Sequence, residues 1–339
     1  MHSRFHPRLI NGPFDDPTLY IPFLFENRAI LFDLGDIHAL SAKDILKTSH
    51  VFVTHTHMDH FIGFDQLLRI SLGREKILHL YGPQNFIQNV EGKLAAYTWN
   101  LVGNYKYRLA LQLTEVHRDH LLTGEYLCQN EFKPSRKAVK HPFEEILYEG
   151  PAYAVSAAIL DHGIPCLGFA IQERFHININ KSQVDSLGLD TGPWLTEFKH
   201  ALYGARDPES EFEIKDGHGE TQHFMLGELA QRIALITPGQ KISYIVDAAY
   251  NPANTEKIIS LAKNSDHLFI EAAFLEQHKD IAAEKNHLTA RQAGILAARA
   301  RVKQFSICHF SPRYAEQDFL LQKQALEAYE HELNHVKDG

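Results

Sequence analysis

The chain has 339 residues, with 34 Lys and Arg against 42 Asp and Glu, giving a net charge of −8 with histidine neutral. At 44% hydrophobic and 22% charged it is rich enough in apolar residues for a large core, which excludes global disorder, a collagen-like chain and a disulfide scaffold. No run of about 18 apolar residues occurs, so no membrane span is expected, and at about 150 residues per domain the length divides into two structural halves.

The opening residues, MHSRFHPRLINGPFDD, lack the apolar stretch of a secretory signal. Cys128, Cys166 and Cys308 show no Cys-x-x-Cys spacing, which fits reduced thiols and a cytoplasmic setting. Residues 29–34 (AILFDL) and 50–54 (HVFVT) are short apolar runs rich in β-branched and aromatic side chains and predict buried strands. Phe61, Phe64, Leu67, Leu68, Ser71 and Leu72 recur at helical spacing, which predicts an amphipathic helix over 60–72. A strand is expected at 77–81, closed by Gly82-Pro83. Residues 115–150 are mixed and charged, with weak periodicity. Strand-like runs at 153–160 and 166–171 flank Asp161-His162-Gly163-Ile164-Pro165.

Residues 172–225 have no sustained apolar period and carry five basic against ten acidic side chains, a net −5. They read as an inserted, solvent-facing arm, with His218 and His223 as surface residues. The βα rhythm then resumes: a strand at 241–247, a helix at 253–263, a strand at 267–271, an Ala-rich helix at 289–303 opened by the Thr289-x-x-Gln292 capping box, a strand at 305–309 and a closing helix from about 314. Two βα-rich halves around an arm predict a layered α/β architecture over 1–339, sheets inside and helices outside.

Histidine is the unusual residue, with 22 in the chain; imidazole is the commonest metal ligand and the proton carrier of neutral pH. The stretch Thr54-His55-Thr56-His57-Met58-Asp59-His60 concentrates it. Side chains two apart on extended backbone face the same side, so His55 and His57 point together at the end of a strand. Asp59 and His60 reach the same pocket from the following turn. His162, Asp247 and His309 each end a predicted strand, the edge where sites of α/β proteins collect. Together these residues supply five His and two Asp, enough for two metals with positions left open for water and substrate. Such N and O donors suit Zn²⁺, with Mn²⁺ and Fe²⁺ sharing the same chemistry. His117-Arg118-Asp119-His120 lacks a strand-end setting and reads as a solvated loop, while Cys166 and Cys308 lie in apolar strands as small core residues.

His55-x-His57-x-Asp59-His60 resembles the signature of the metallo-β-lactamase superfamily. Phe32-Asp33-Leu34-Gly35, DHGIPCLGF, FIEAAF, HLTARQA and CHFSPRY resemble further motifs of its ribonuclease Z branch. Ala248 stands where that branch usually has Thr, and Ile270-Glu271-Ala272-Ala273 where it has His-Glu-Ala-Thr. The resemblance implies an αββα four-layer sandwich and a binuclear, metal-dependent hydrolase of phosphodiesters that processes the 3′ side of precursor tRNA. It implies two Zn²⁺ per chain: His55, His57 and His162 on one, Asp59, His60 and His309 on the other, Asp247 bridging. By the same analogy Asp59 orients or deprotonates the nucleophile, His287 paired with Glu271 protonates the leaving oxygen, and Arg313 holds the phosphate. The Gly192-Pro193 segment resembles a tRNA-clamping arm, and the branch implies a homodimer. Taken alone, Glu271 with His287 also fits a helix-start hydrogen bond, and Arg313 a surface ion pair. The alternatives are the same site acting on a small phosphodiester, lactone or sulfate ester, and a protein that holds metals without turnover, which the retained Asp59, Glu271 and His287 oppose.

Overall fold

The computed structural model describes residues 5–24, 26–135, 138–215 and 221–337; His218 lies outside them. A first sheet of eight strands follows chain order: β1 (Arg8–Leu9), β2 (Leu19–Pro22), β3 (Ala29–Phe32), β4 (Thr48–Phe52), β5 (Lys76–Pro83), β6 (Leu109–Val116), β7 (His120–Leu127) and β8 (Val139–Pro142). β3 to β6 are parallel and the outer pairs antiparallel. Parallel neighbours need crossovers, and the helices Ala42–Lys47, Phe64–Ser71 and Phe86–Ala95 serve as these.

The later strands are β9 (Ile146–Glu149), β10 (Tyr153–Asp161), β11 (Pro165–Glu173), β12 (Phe175–Ile179), β13 (Glu211–Lys215), β14 (Thr221–Met225), β15 (Ala234–Pro238), β16 (Lys241–Ile245), β17 (His267–Glu271) and β18 (Phe305–Cys308). A second sheet has the order β18-β17-β16-β11-β10-β9. β16, β17 and β18 are parallel and in register, Ile245 beside Ile270 and Glu271 beside Cys308. Asp247, Glu271 and His309 therefore emerge at one edge.

The two sheets meet through aromatic rings. Phe32 stacks on Phe169 at 5.3 Å between centroids and tilts against Tyr244 at 5.9 Å, and Phe52 meets Phe169 at 5.7 Å. Outside the first sheet, Ile45, Phe64, Leu67, Phe86 and Val90 of its crossover helices fill one core cluster. Outside the second, Ile258, Ala293, Leu296, Ala297 and Leu321 of the helices Pro252–Ala262, Ala290–Arg299 and Asp318–Lys337 fill another. This is the αββα four-layer sandwich. No described helix is long and apolar enough to cross a membrane.

The structure refines three stretches. The helix over 60–72 is two helices, Met58–Phe61 and Phe64–Ser71, because Gly63 approaches the Gly35 carbonyl so closely that a Cβ would collide with it. Residues 115–150, mixed and charged with weak periodicity in the sequence, contain strands; β7 is half-buried along nearly all its length and so lacks the sharp alternation that betrays a strand. His117-Arg118-Asp119-His120 is the partly exposed loop expected, but it does sit at strand ends, as the β6–β7 hairpin turn, with the two imidazoles stacked 4.4 Å apart and paired to Glu115 and Asp119.

Residues 148–154 and 172–240 form one compact unit, and residues 5–147, 155–171 and 241–337 form another. The region expected as an inserted, solvent-facing arm has its own core: Val184, Leu189, Trp194, Phe198, Phe212, Ile214, Leu226, Leu229 and Ile233. The expected limit at 225 falls inside it, since the helix Leu226–Ile233 supplies three of those residues. β12 pairs with β15 and β13 with β14. The periodicity is hidden because short helices and hairpins each contribute only a few apolar positions. Phe198 is fully buried between Trp194 and Phe212, so Phe198→Ala is expected to cost this unit about 3–5 kcal/mol. Faster limited proteolysis within 172–240, with the remainder resistant, is the measurement that checks it.

Candidate metal centre

β4 ends at Phe52, and the extended chain beyond it carries His55 and His57 before the helix Met58–Phe61 brings in Asp59 and His60. His55 and His60 are fully buried, whereas His57 is exposed at the mouth. His162 follows β10, Asp247 follows β16 and His309 follows β18. Asp33, Asp247 and His309 all adopt left-handed backbone, with φ of 62°, 56° and 58°. Asp and His tolerate that region better than most residues, and such strain gathers where side chains must be aimed.

One carboxylate occupies the middle. Asp247 Oδ2 lies 3.2 Å from His55 Nε2, 3.1 Å from His60 Nε2 and 3.7 Å from His162 Nε2, while Oδ1 lies 2.9 Å from His309 Nδ1. His309 Nε2 meets Asp59 Oδ2 at 3.3 Å. The donor atoms of His55, His57, His162 and Asp247 lie within 4.8 Å of one another, as do those of Asp59, His60 and His309, and those of Asp247, Glu271, His287 and His309.

The residues behind the donors orient them. Asp33 is fully buried and accepts from Thr54 N–H at 2.7 Å, Tyr244 O–H at 3.0 Å and His60 Nδ1 at 2.9 Å. His162 Nδ1–H donates to the Asn286 carbonyl at 2.9 Å. Fixing one ring nitrogen in this way aims the other. Charge follows from the same contacts. Burial pushes the His55 imidazole down to about 2 with His60 beside it. At His309 burial opposes protonation, but Asp247 overrides it and raises the imidazole to about 10. At His60 burial is likewise outweighed by Asp247 and Asp33, which hold its pKa well above the ordinary value.

The donor chemistry suits a divalent cation. His55 Nε2, His60 Nε2 and His309 Nδ1 are buried at ion-pair distance from Asp247, yet neither they nor Asp247 Oδ1 are aligned in a hydrogen bond. Buried polar atoms are nearly always hydrogen-bonded, and four such atoms converging on one point are what a metal satisfies. Glu211, Glu213 and His223 also approach one another on the β13–β14 hairpin, but all three are exposed, as expected for His223.

Glu271 and His287 come together beside this cluster. His287 Nδ1 lies 2.8 Å from Glu271 Oε2, and Glu271 Oε1 accepts the Ala248 N–H at 2.7 Å. That bond uses main chain, so Ala248 serves where the resemblance expects Thr. Burial opposes charge on His287, and Glu271 raises its pKa above the ordinary imidazole value. Arg313 is exposed on the turn Pro312–Tyr314 and lines a cleft with Gln277, His278 and Lys323; its guanidinium makes no ion pair among the described residues. Cys166 and Cys308 are buried, Cys166 with its Sγ 3.9 Å from His55 Nδ1.

Tyr244, Asn254 and Asn286 went unnoticed in the sequence. Tyr244 meets Asp33 across 211 residues, a contact for which no local pattern exists. Asn254, just past an N-cap Asn251, is outwardly an ordinary first-turn residue.

No protein-family model matches the chain. Ribonuclease Z of Deinococcus radiodurans is 28% identical over 293 residues, 86% of this chain and 84% of that protein. Ribonuclease Z of Crocosphaera subtropica is 29% identical over 298 residues, 84% of this chain and 77% of that protein. Among solved structures, the metallo-β-lactamase fold protein YhfI of Bacillus subtilis gives a TM-score of 0.54 at 14% identity, over 96% of this chain and 94% of that one. Human tRNase Z, short form, gives 0.50 at 18% identity, over 92% and 93%. The solved structures share the sandwich, and the curated relatives, each named ribonuclease Z, are similar to the chain along most of its length.

Proposed function

We propose that the chain is a metal-dependent phosphodiester hydrolase of ribonuclease Z type, an endonuclease acting on the 3′ side of precursor tRNA as a cytoplasmic homodimer. The observation that carries this reading is the Asp247 carboxylate ringed by His55, His60, His162 and His309, with buried donor atoms left out of any aligned hydrogen bond. His55, His57 and His162 would hold one ion and Asp59, His60 and His309 the other, with Asp247 shared. Zn²⁺ is the natural choice for these donors, and Mn²⁺ or Fe²⁺ is compatible with them. Two divalent cations held there supply Lewis acidity toward a phosphodiester and toward water.

The chain's own residues divide the remaining work. Burial opposes ionisation of Asp59, but the hydrogen bond from His309 and the nearby His60 imidazole hold its carboxyl well below the usual range. It stays an anion and acceptor, half-exposed at the mouth, suited to orienting the attacking water. His287 keeps Nδ1 on Glu271, so Nε2 is left to give a proton to the departing 3′-oxygen. Arg313, four residues past His309, would reach the substrate phosphate with a guanidinium fork.

A second reading, the same chemistry on a small phosphodiester, lactone or sulfate ester, is favoured by one observation. The cleft of about 760 Å³ beside Gly192-Pro193 is lined by Asp190, Glu197, Glu211 and Glu213 against Arg206 and Lys215, and Arg206 is already engaged by Ser210 and the Glu211 carbonyl. Metal-reconstituted protein given a precursor tRNA and bis(p-nitrophenyl) phosphate separates the two. The tRNA reading expects cleavage at the 3′ side and binding that weakens steeply with salt as counterions are released. Turnover of the small ester with no tRNA binding at low salt leaves the second reading standing.

A further inference from the structure

Two of the proposed donors sit on loops far apart in sequence, His162 just after β10 and Asp247 just after β16. A single buried side chain ties those loops together. Asn254 is 1% exposed in the first turn of the helix Pro252–Ala262. Its Oδ1 accepts the Asp161 N–H at 2.9 Å, and its Nδ2 donates to the Asp161 carbonyl at 2.8 Å and to the Ala249 carbonyl at 2.8 Å. The Ala249 N–H donates to the Asp161 carbonyl as well, at 2.8 Å.

The grip lands one residue before His162 and two residues after Asp247, and every bond goes to main chain. It therefore sets the spacing of the two peptide segments whatever their side chains are. Only a carboxamide has the donors and acceptor this requires: a carboxylate offers no hydrogens and would face two carbonyl oxygens. The helix start does not need this side chain, because Asn251 already caps it by accepting the Asn254 N–H at 2.8 Å.

We propose that Asn254 is a positioning residue of the metal centre, its carboxamide clasping the His162 and Asp247 loops at the separation that two-loop coordination requires. The inference rests on the metal-centre reading above. The clasp acts on the donors, not on substrate, so its signature is metal affinity and ligand field ahead of KM.

The test uses the full chain loaded with Co²⁺, read by its visible absorption spectrum and by chelator competition. Asn254→Asp keeps the shape and loses both donors; it is expected to bind Co²⁺ about 10–100-fold more weakly, the usual cost of losing an outer partner, with a shifted spectrum. Asn254→Ala carries the same expectation should the carboxylate prevent folding. Asn251→Ala removes the side chain that accepts the Asn254 N–H and leaves every main-chain bond of the clasp in place, so it lowers the thermal midpoint while leaving affinity and spectrum unchanged. Wild-type affinity and spectrum in the Asn254 variants overturn the clasp, and so does an Asn251→Ala protein that reproduces their defect. A wild-type chain that takes up no cobalt overturns the metal-centre reading itself.

Discussion

Asp247→Ala is expected to leave the protein with almost no bound metal after reconstitution, where the wild type holds about two ions per chain, as a binuclear site requires. Asp247 faces imidazoles of both proposed donor sets, His55 and His162 on one side and His60 and His309 on the other. Losing it therefore weakens both sites at once. His162→Ala removes a donor from one set only, and about one ion is expected to remain. Lewis-acid stabilisation of several kcal/mol disappears with the ions, which at 1.36 kcal/mol per decade is a fall in turnover of about 10³-fold or more. Metal analysis by mass spectrometry on the two variants checks the ordering. A full complement in Asp247→Ala would remove the carboxylate from the centre of the mechanism, whatever its place in the fold.

The parts of this site that were legible in the sequence are those fixed by local geometry. His55 and His57 share a side because strand periodicity is two, and Asp59 and His60 follow within three residues. His162, Asp247 and His309 could be singled out because each closes an apolar strand. What joins them is topology: the parallel register of β16, β17 and β18 aligns Asp247, Glu271 and His309 at one edge, and no spacing rule contains that register. The left-handed backbone at Asp33, Asp247 and His309 was equally hidden, since Asp and His enter that region only when the surrounding fold requires it.

The small unit over 172–240 failed to declare itself for a different reason. Its net charge and weak periodicity describe the surface of the segment, while Trp194, Phe198 and Phe212 build a core from positions scattered over a helix and a hairpin. A summed charge says nothing about where charges sit. The cleft lined by Asp190, Glu197, Glu211 and Glu213 puts part of that negative charge at the Gly192-Pro193 segment, the stretch resembling a tRNA clamp.

His287→Ala is expected to retain the metals and still lower turnover of a precursor RNA by about 10²–10⁴-fold, the range for losing a general acid. The geometry gives His287 two possible employments, because its Nδ1 lies 3.6 Å from Asp247 Oδ1 as well as 2.8 Å from Glu271 Oε2. The shorter contact favours the Glu271 pairing, and the buried Glu271 is itself held by the Ala248 N–H. With Nδ1 so occupied, Nε2 is the nitrogen that can serve a leaving group. An alkoxide leaving group needs that proton, whereas p-nitrophenolate departs with little help. The defect should therefore shrink sharply on bis(p-nitrophenyl) phosphate, and Glu271→Gln should produce a milder version of the same leaving-group dependence. A loss of equal size on both substrates ends the proton-donor role, and loss of an ion from His287→Ala would make the residue a ligand instead.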